Sequence, residues 1–261
     1  MVVTFYQHNI IWGDAKANRQ KVEDQMAVSA SGADIFVVPE TFTTGFGNHM
    51  AALAEEQEGP TLQWARRMAA QYNLLFVGTW IVKENGKNYN RLHRVYPDGS
   101  YGIYDKGHTF RVSGEYDVIA RGTERKVFEY KGWHIKPAIC YDLRFPKWLR
   151  NKSEYSDNSE YSEMDYDLLL VCANWPGSRH EAWTTLLKAR AIENLSYVLG
   201  CNRSGVDGVG GIYTGNSALI DYKGFTIAEA EAGANQSITV TLDKEKLDTF
   251  RQRWPFYLDF D

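Results

Sequence analysis

The chain has 261 residues, 44% of them apolar, and no Pro/Gly/Ser-rich linker divides it, so one domain over 1–261 with one large core is expected. Its net charge of −4, with both signs interspersed, excludes the basic stripe that nucleic-acid phosphates require, and no apolar run approaches the roughly 18 residues of a membrane span. Cys140, Cys172 and Cys201 form no paired spacing and no signal segment opens the chain, so a soluble cytoplasmic protein with free thiols and a small-molecule substrate is expected.

Val2 to Gln7 reads as a first strand, followed by a helix over Ala15 to Ala30 in which Val22, Met26 and Ala30 recur every fourth residue. Ile35 to Val38 is a buried strand ending at Pro39-Glu40. After Gly59-Pro60, Leu62, Ala65, Met68 and Tyr72 mark a second helix, and Leu74 to Gly78 a further strand. Tyr89 to Tyr96 and Tyr101 to Tyr104 flank the turn Pro97-Asp98-Gly99-Ser100 as a hairpin, and Val127 to Tyr130 with Trp133 to Ile139 form another across Lys131-Gly132. The chain continues with a strand at Asp167 to Cys172, a helix over His180 to Asn194 and a strand at Tyr197 to Cys201. Strands near 216–220, 226–228 and 237–242 precede a short helix capped by Asp243. Helices alternating with strands, and hairpins among them, indicate an α/β fold with mixed sheets. The polar stretch 151–165 has no apolar period and reads as a surface insertion.

Three reactive side chains each follow a strand-like run: Glu40, Lys106 and Cys140. Cys140 sits where a strand passes into a predicted helix at Leu143 to Leu149. Such a turn exposes the thiol, lowers its pKa through the facing N–H groups and offers oxyanion donors. The competing reading is a small core residue, which is how Cys172 and Cys201 read inside their apolar strands. Glu40 is either a general base at the mouth of a buried run or a loop carboxylate that caps or pairs. Lys106 is either a fixed cation beside a developing oxyanion or an ordinary surface lysine. His49, His108 and His180 show no His-x-His or His-x3-His spacing, so no metal site is expected. Taken together, a carboxylate that deprotonates a thiol, a thiolate that attacks an amide carbonyl and an ammonium that holds the oxyanion make a thiol hydrolase. Phe42, Phe46, Trp175 and Arg203 flank Glu40 or follow strand-like runs and are candidates for the substrate pocket, although packing accounts equally for the three aromatics.

This constellation resembles the nitrilase or carbon-nitrogen hydrolase superfamily. The match runs in the family's order through Pro39 to Phe46, Tyr104 to Lys106, Ile139 to Pro146, Ala173-Asn174-Trp175-Pro176, Lys188 to Asn194 and Cys201 to Gly205, covering nearly the whole chain. The resemblance implies a four-layer αββα sandwich with two mixed β-sheets, a homodimer, and no metal or organic cofactor. It implies Cys140 as nucleophile, Glu40 as general base, Lys106 as oxyanion-stabilising cation and Glu115 as an additional glutamate beside the lysine. The backbone N–H of Tyr141 would complete the oxyanion hole, while Asp142 and Arg144 brace the nucleophile turn. Cys140 to Pro146, Ala173 to Pro176 and Phe250 to Phe256 look most like the omega-amidase branch, which hydrolyses the terminal amide of 2-oxo dicarboxylic monoamides such as 2-oxoglutaramate or 2-oxosuccinamate to the 2-oxo acid and ammonia. An N-carbamoyl amino acid amidohydrolase, another small-amide hydrolase, a true nitrilase and a catalytically silent scaffold are the competing expectations.

Overall fold

A computed structural model describes residues 1–151 and 164–259. Seven strands form the first sheet: β1 (Val2–Gln7), β2 (Ile35–Val37), β3 (Glu55–Glu56), β4 (Leu75–Glu84), β5 (Lys87–Val95), β6 (Tyr101–Asp105) and, from late in the chain, β15 (Gln236–Thr241). The order is β15-β1-β2-β4-β5-β6, with β3 also on β4. β1, β2 and β4 run parallel, while β15, β5 and β6 are antiparallel. Six strands form the second sheet: β7 (Phe128–Tyr130), β8 (Trp133–Ile139), β9 (Leu168–Ala173), β10 (Tyr197–Asn202), β13 (Ala218–Ile220) and β14 (Thr226–Glu229). Their order is β14-β13-β10-β9-β8-β7, again with a parallel centre, β8, β9 and β10. Between β10 and β13 the chain makes a small separate ribbon, β11 (Ser204–Val206) with β12 (Ile212–Thr214).

Strands that are apolar at every position bury both faces. Along β1, β2 and β4, the residues Val3, Phe5, Ile35, Val37, Leu75 and Val77 enter an inner core that the second sheet completes with Leu168 to Ala173. Tyr6, Phe36 and Phe76 point the other way, onto Val22 and Met26 of α1 (Ala15–Ser29) and Leu62, Ala65 and Met68 of α2 (Pro60–Tyr72). The sheets meet face to face, as the thiol of Cys201 in β10 lies against the carbonyls of Tyr6 and Val37. Behind the second sheet, α5 (His180–Asn194) and α6 (Lys244–Arg253) add Trp183, Leu187, Ala191 and Leu247. Gly200 is required here, since a Cβ on β10 would stand 2.6 Å from Trp183 and 2.7 Å from Leu187 of α5. The four layers are thus helices, sheet, sheet, helices, the αββα sandwich expected from the sequence.

The expected cap is present, Asp243 accepting from Lys246 N–H at 3.0 Å, and Asp14 caps α1 in the same way by accepting from Ala17 N–H at 2.9 Å. Three features differ from the sequence reading. β4 does not stop at Gly78 but runs to Glu84 and turns into β5 through Asn85-Gly86, both at positive φ (49° and 73°). That dipeptide is a strong hairpin signal that the reading passed over. The ribbon β11–β12 was not anticipated. After Cys140 the chain makes a 3-10 turn over Cys140–Arg144 and only then a single helical turn, α4 (Pro146–Leu149). Most of the 151–165 insertion, residues 152–163, lies outside the described residues. Its two ends meet, because the Asn151 amide donates to Tyr166 O and its carbonyl accepts from Tyr166 N–H, both at 2.8 Å. Among the described residues, no helix is long and apolar enough to cross a membrane.

Candidate active site

Ligands in α/β folds gather outside the carboxyl ends of parallel strands, and Glu40, Cys140 and Asn174 follow β2, β8 and β9 at that edge. Lys106 follows β6, and Glu115 opens the short helix α3 (Glu115–Val118). The structure brings these groups together. Lys106 Nζ donates to Glu40 Oε1 at 2.8 Å and to both oxygens of Glu115 at 3.0 and 2.9 Å. All three are almost completely buried. Asn90, in β5, donates one amide to Glu40 Oε1 at 2.8 Å and to Glu115 Oε1 at 3.2 Å. Phe110 N–H adds a 2.6 Å bond to Glu115 Oε2, and Asn174 N–H a 2.8 Å bond to Glu40 Oε2.

The Cys140 thiol stands beside the Glu40 carboxylate and the Asn174 N–H, and both act on its ionisation. Its backbone is left-handed, with φ +42°, a conformation that costs a non-glycine residue about 1–2 kcal/mol. Surrounding bonds hold it there. Asp142 Oδ2 accepts from Ile139 N–H at 3.1 Å and Tyr104 OH at 2.7 Å, and its Oδ1 takes the backbone N–H and the ring Nδ1 of His108, each at 2.8 Å. The Arg190 guanidinium closes the turn on Leu143 O at 3.1 and 2.8 Å. Thr41, beside Glu40, is strained in the same sense (φ +43°) and is held by Thr79 Oγ1, at 2.6 Å from its N–H, and by the Asn174 side chain.

Burial pushes the Cys140 thiol well above its ordinary pKa, the Glu40 charge adds to that, and Lys106 and the Asn174 N–H only partly oppose it. This direction is opposite to the expectation that a helix N-terminus would lower the thiol's pKa. A 3-10 turn beside a carboxylate does not supply that field. Burial would lower the pKa of Lys106, but the Glu115 and Glu40 charges outweigh it and keep the ammonium charged far into alkali. Glu115 is raised by burial, with Lys106 opposing and Glu40 reinforcing the rise.

Above this cluster opens a cavity of about 600 Å³ onto which Lys106, Cys140, Tyr141 and Asn174 all face. Phe46, Phe110, Trp175 and Tyr213 contribute aromatic walls. Arg144, Arg179 and Asp207 are among the other lining residues, Arg144 lying 4.8 Å from the Trp175 ring centre and Arg179 5.3 Å from that of Phe110. Arg144 is exposed and faces the cavity, so it does not brace the nucleophile turn as expected; Asp142 does. Of the pocket candidates, Trp175 and Phe46 line the cavity, whereas Phe42 and Arg203 do not. Phe42 is fully buried among Trp64, Phe76 and Trp80, because its side chain leaves the Glu40 loop toward the helical layer. Arg203 is fully buried, with its guanidinium donating to Ser204 O, Asn9 Oδ1, Ile10 O and Val206 O. Sequence reasoning missed Asn90, Asn174, Arg179 and Tyr213 as site residues. Asn174 lay inside a recognised motif after a strand, but an asparagine within β5 carries no local signal of the groups it meets. Among the described residues, no cluster of three or more His, Cys, Asp or Glu could hold a metal ion.

The carbon-nitrogen hydrolase family matches residues 2–252. An omega-amidase of Yersinia enterocolitica is 41% identical over 261 residues, covering 99% of this chain and 96% of that protein. A 2-oxoglutaramate amidase of Bacillus subtilis is 30% identical, with 98% and 96% covered. A Xanthomonas campestris protein of the CN-hydrolase superfamily, crystallised with an arsenic adduct in its active site, superposes with a TM-score of 0.96 at 39% identity, covering 100% of this chain and 97% of that one. The sandwich, the buried Glu40–Lys106–Cys140 cluster at its edge and these matches along its length lead to one conclusion: the chain belongs to the carbon-nitrogen hydrolase family.

Proposed function

We propose that the protein is an omega-amidase that hydrolyses the terminal carboxamide of a small 2-oxo dicarboxylic monoamide to the 2-oxo acid and ammonia. The observation that carries this reading is a buried carboxylate paired with a fixed ammonium beside the Cys140 thiol, under a cavity whose lining holds two guanidiniums. The omega-amidase and 2-oxoglutaramate amidase relatives support it. Glu40 takes the thiol proton as Cys140 Sγ attacks the carboxamide carbon, and the oxyanion that forms is held by Lys106 and the Tyr141 N–H. Glu40 returns the proton to nitrogen, the C–N bond breaks and ammonia leaves a thioester. Water then gives a proton to Glu40 as its oxygen adds to the thioester carbon. Collapse breaks the C–S bond, releases the acid and returns the proton to sulfur. Glu115 keeps Lys106 charged and in place. Arg144 and Arg179 pair with the substrate's carboxylate, which favours anionic amides over neutral ones. Trp175 supports Arg144 from behind.

The same reading takes the chain as one catalytic domain that works as a cytoplasmic homodimer. Three free thiols suit a reducing compartment, and the exposed Ile192 of α5, packed beside Gly224, whose chain neighbour Phe225 is also exposed, offers an apolar face for pairing. Sedimentation is expected to show a dimer, and a monomer at every concentration would contradict the pairing. The functional test is ammonia release from 2-oxoglutaramate, 2-oxosuccinamate, glutamine, asparagine and N-carbamoyl-β-alanine, with wild type and Cys140→Ala. Release from the 2-oxo amides, lost in the variant, is expected. Silence on both 2-oxo amides, or turnover of the carbamoyl compound alone, would overturn the assignment.

A further inference from the structure

Asn90 is fully buried and does not line the cavity, yet it touches all three members of the Glu40–Lys106–Glu115 cluster. Its single NH2 donates to Glu40 Oε1 and to Glu115 Oε1, and its backbone carbonyl accepts from Lys106 N–H at 3.0 Å. The amide orientation follows from chemistry: ionised carboxylates only accept, so the NH2 must face them. Its Oδ1 is consequently buried with no hydrogen-bond partner. An unpartnered buried carbonyl destabilises a fold, so packing is not what favours asparagine here.

We propose that Asn90 is a positioning residue for the hydrolysis, holding Glu40 and Glu115 apart around Lys106 in the charge state that lets Glu40 act as base. The inference rests on the amidase reading for its consequence, but its physical content is separate. Two carboxylates facing one ammonium leave one negative charge uncompensated, and the amide supplies the neutral donors that let both stay ionised. The titratable and charged groups facing this point are Glu40 from the loop after β2, Lys106 from the end of β6, Glu115 from α3 and Cys140 from the turn after β8. Without the amide, the cluster takes up a proton at higher pH, and that proton removes the base.

The test compares wild type with Asn90→Leu, which keeps the branched heavy-atom skeleton and deletes both donors, and with Asn90→Ser, which keeps one. The infrared band of protonated carboxyl groups is followed against pH without substrate and assigned with Glu40→Gln and Glu115→Gln. Ammonia release against pH is measured in parallel, and thermal melting reports folding. The band is expected to appear about one pH unit higher in Asn90→Leu and less far in Asn90→Ser. The acid limb of kcat/KM should move by the same amount, which is about tenfold in rate below the limb. If Asn90→Leu fails to fold, Asn90→Ser decides alone. A band titrating at the wild-type pH in a folded variant, or a rate loss equal at every pH, would overturn the proposal. Should wild type release no ammonia from any amide, the function fails, while the infrared titration still decides the role of Asn90.

Discussion

Burial and the Glu40 charge both push the Cys140 thiol up, so the proposed mechanism has its proton taken at the moment of attack and not before it. The sign of each neighbour's effect gives a prediction. Glu40→Gln removes the negative charge and the acceptor that hold the thiol pKa up, while Lys106 and the Asn174 N–H remain to stabilise the thiolate. Alkylation of Cys140 by iodoacetamide should then begin roughly 1–3 pH units lower than in wild type, even as amide turnover falls about 100- to 10,000-fold with loss of the base. An unchanged alkylation profile would contradict the account. At this scale the clustering residues were legible because Glu40, Lys106 and Cys140 each end an apolar run. Phe42 and Arg203 were misread because proximity in sequence to Glu40 or to a strand end does not say which layer a side chain enters. Asn90 was invisible because its partners come from the loop after β2, the end of β6 and α3, and no spacing within β5 encodes them.

The elements hold the site by joining the two sheets. Asn174, at the end of β9, reaches across to the loop after β2, where its side chain donates to Glu40 O and to Thr41 Oγ1. Far from the site, α6 is latched to the second sheet through Asp167. Its carboxylate takes Arg251 at 2.8 Å, Lys244 at 2.6 Å and His134 N–H at 3.0 Å. Burial alone would raise the pKa of Asp167, but Lys244, the His134 N–H and Arg251 outweigh it and hold the carboxyl below its usual range. A depressed carboxylate contributes stability above its unfolded pKa and loses it as pH falls through the lower native value. Asp167→Asn should therefore cost about 3 kcal/mol at neutral pH by leaving buried Arg251 unpaired. The gap from wild type should narrow in acid, below the usual carboxylate pKa. Urea unfolding at both pH values checks this, and equal midpoints at neutral pH would contradict it. Most elements were legible because regular periods and caps mark them, α5 to the residue. β11 and β12 were not, because Gly205 and a run of glycines at 208, 210 and 211 interrupt any alternation.

Across the whole molecule, the first sheet carries Glu40, Asn90 and Lys106, and the second carries Cys140 and Asn174, so the site exists only where the sheets are packed together. Alternating helices, strands and hairpins indicated an α/β fold with mixed sheets, and the family resemblance implied its four layers, but neither indicated the cavity. Its lining combines side chains from loops that the sandwich brings together, such as Arg144, Arg179 and Tyr213. The account's central claim is that the substrate's acyl group passes through the sulfur of Cys140. Acid-quenched turnover of 2-oxoglutaramate, read by intact mass and then by peptide mapping, tests it most directly. The account predicts an acyl adduct on the peptide containing Cys140, absent from those of Cys172 and Cys201, with neither adduct nor turnover in Cys140→Ala. Turnover that persists in Cys140→Ala, or an adduct carried by another residue, would contradict it.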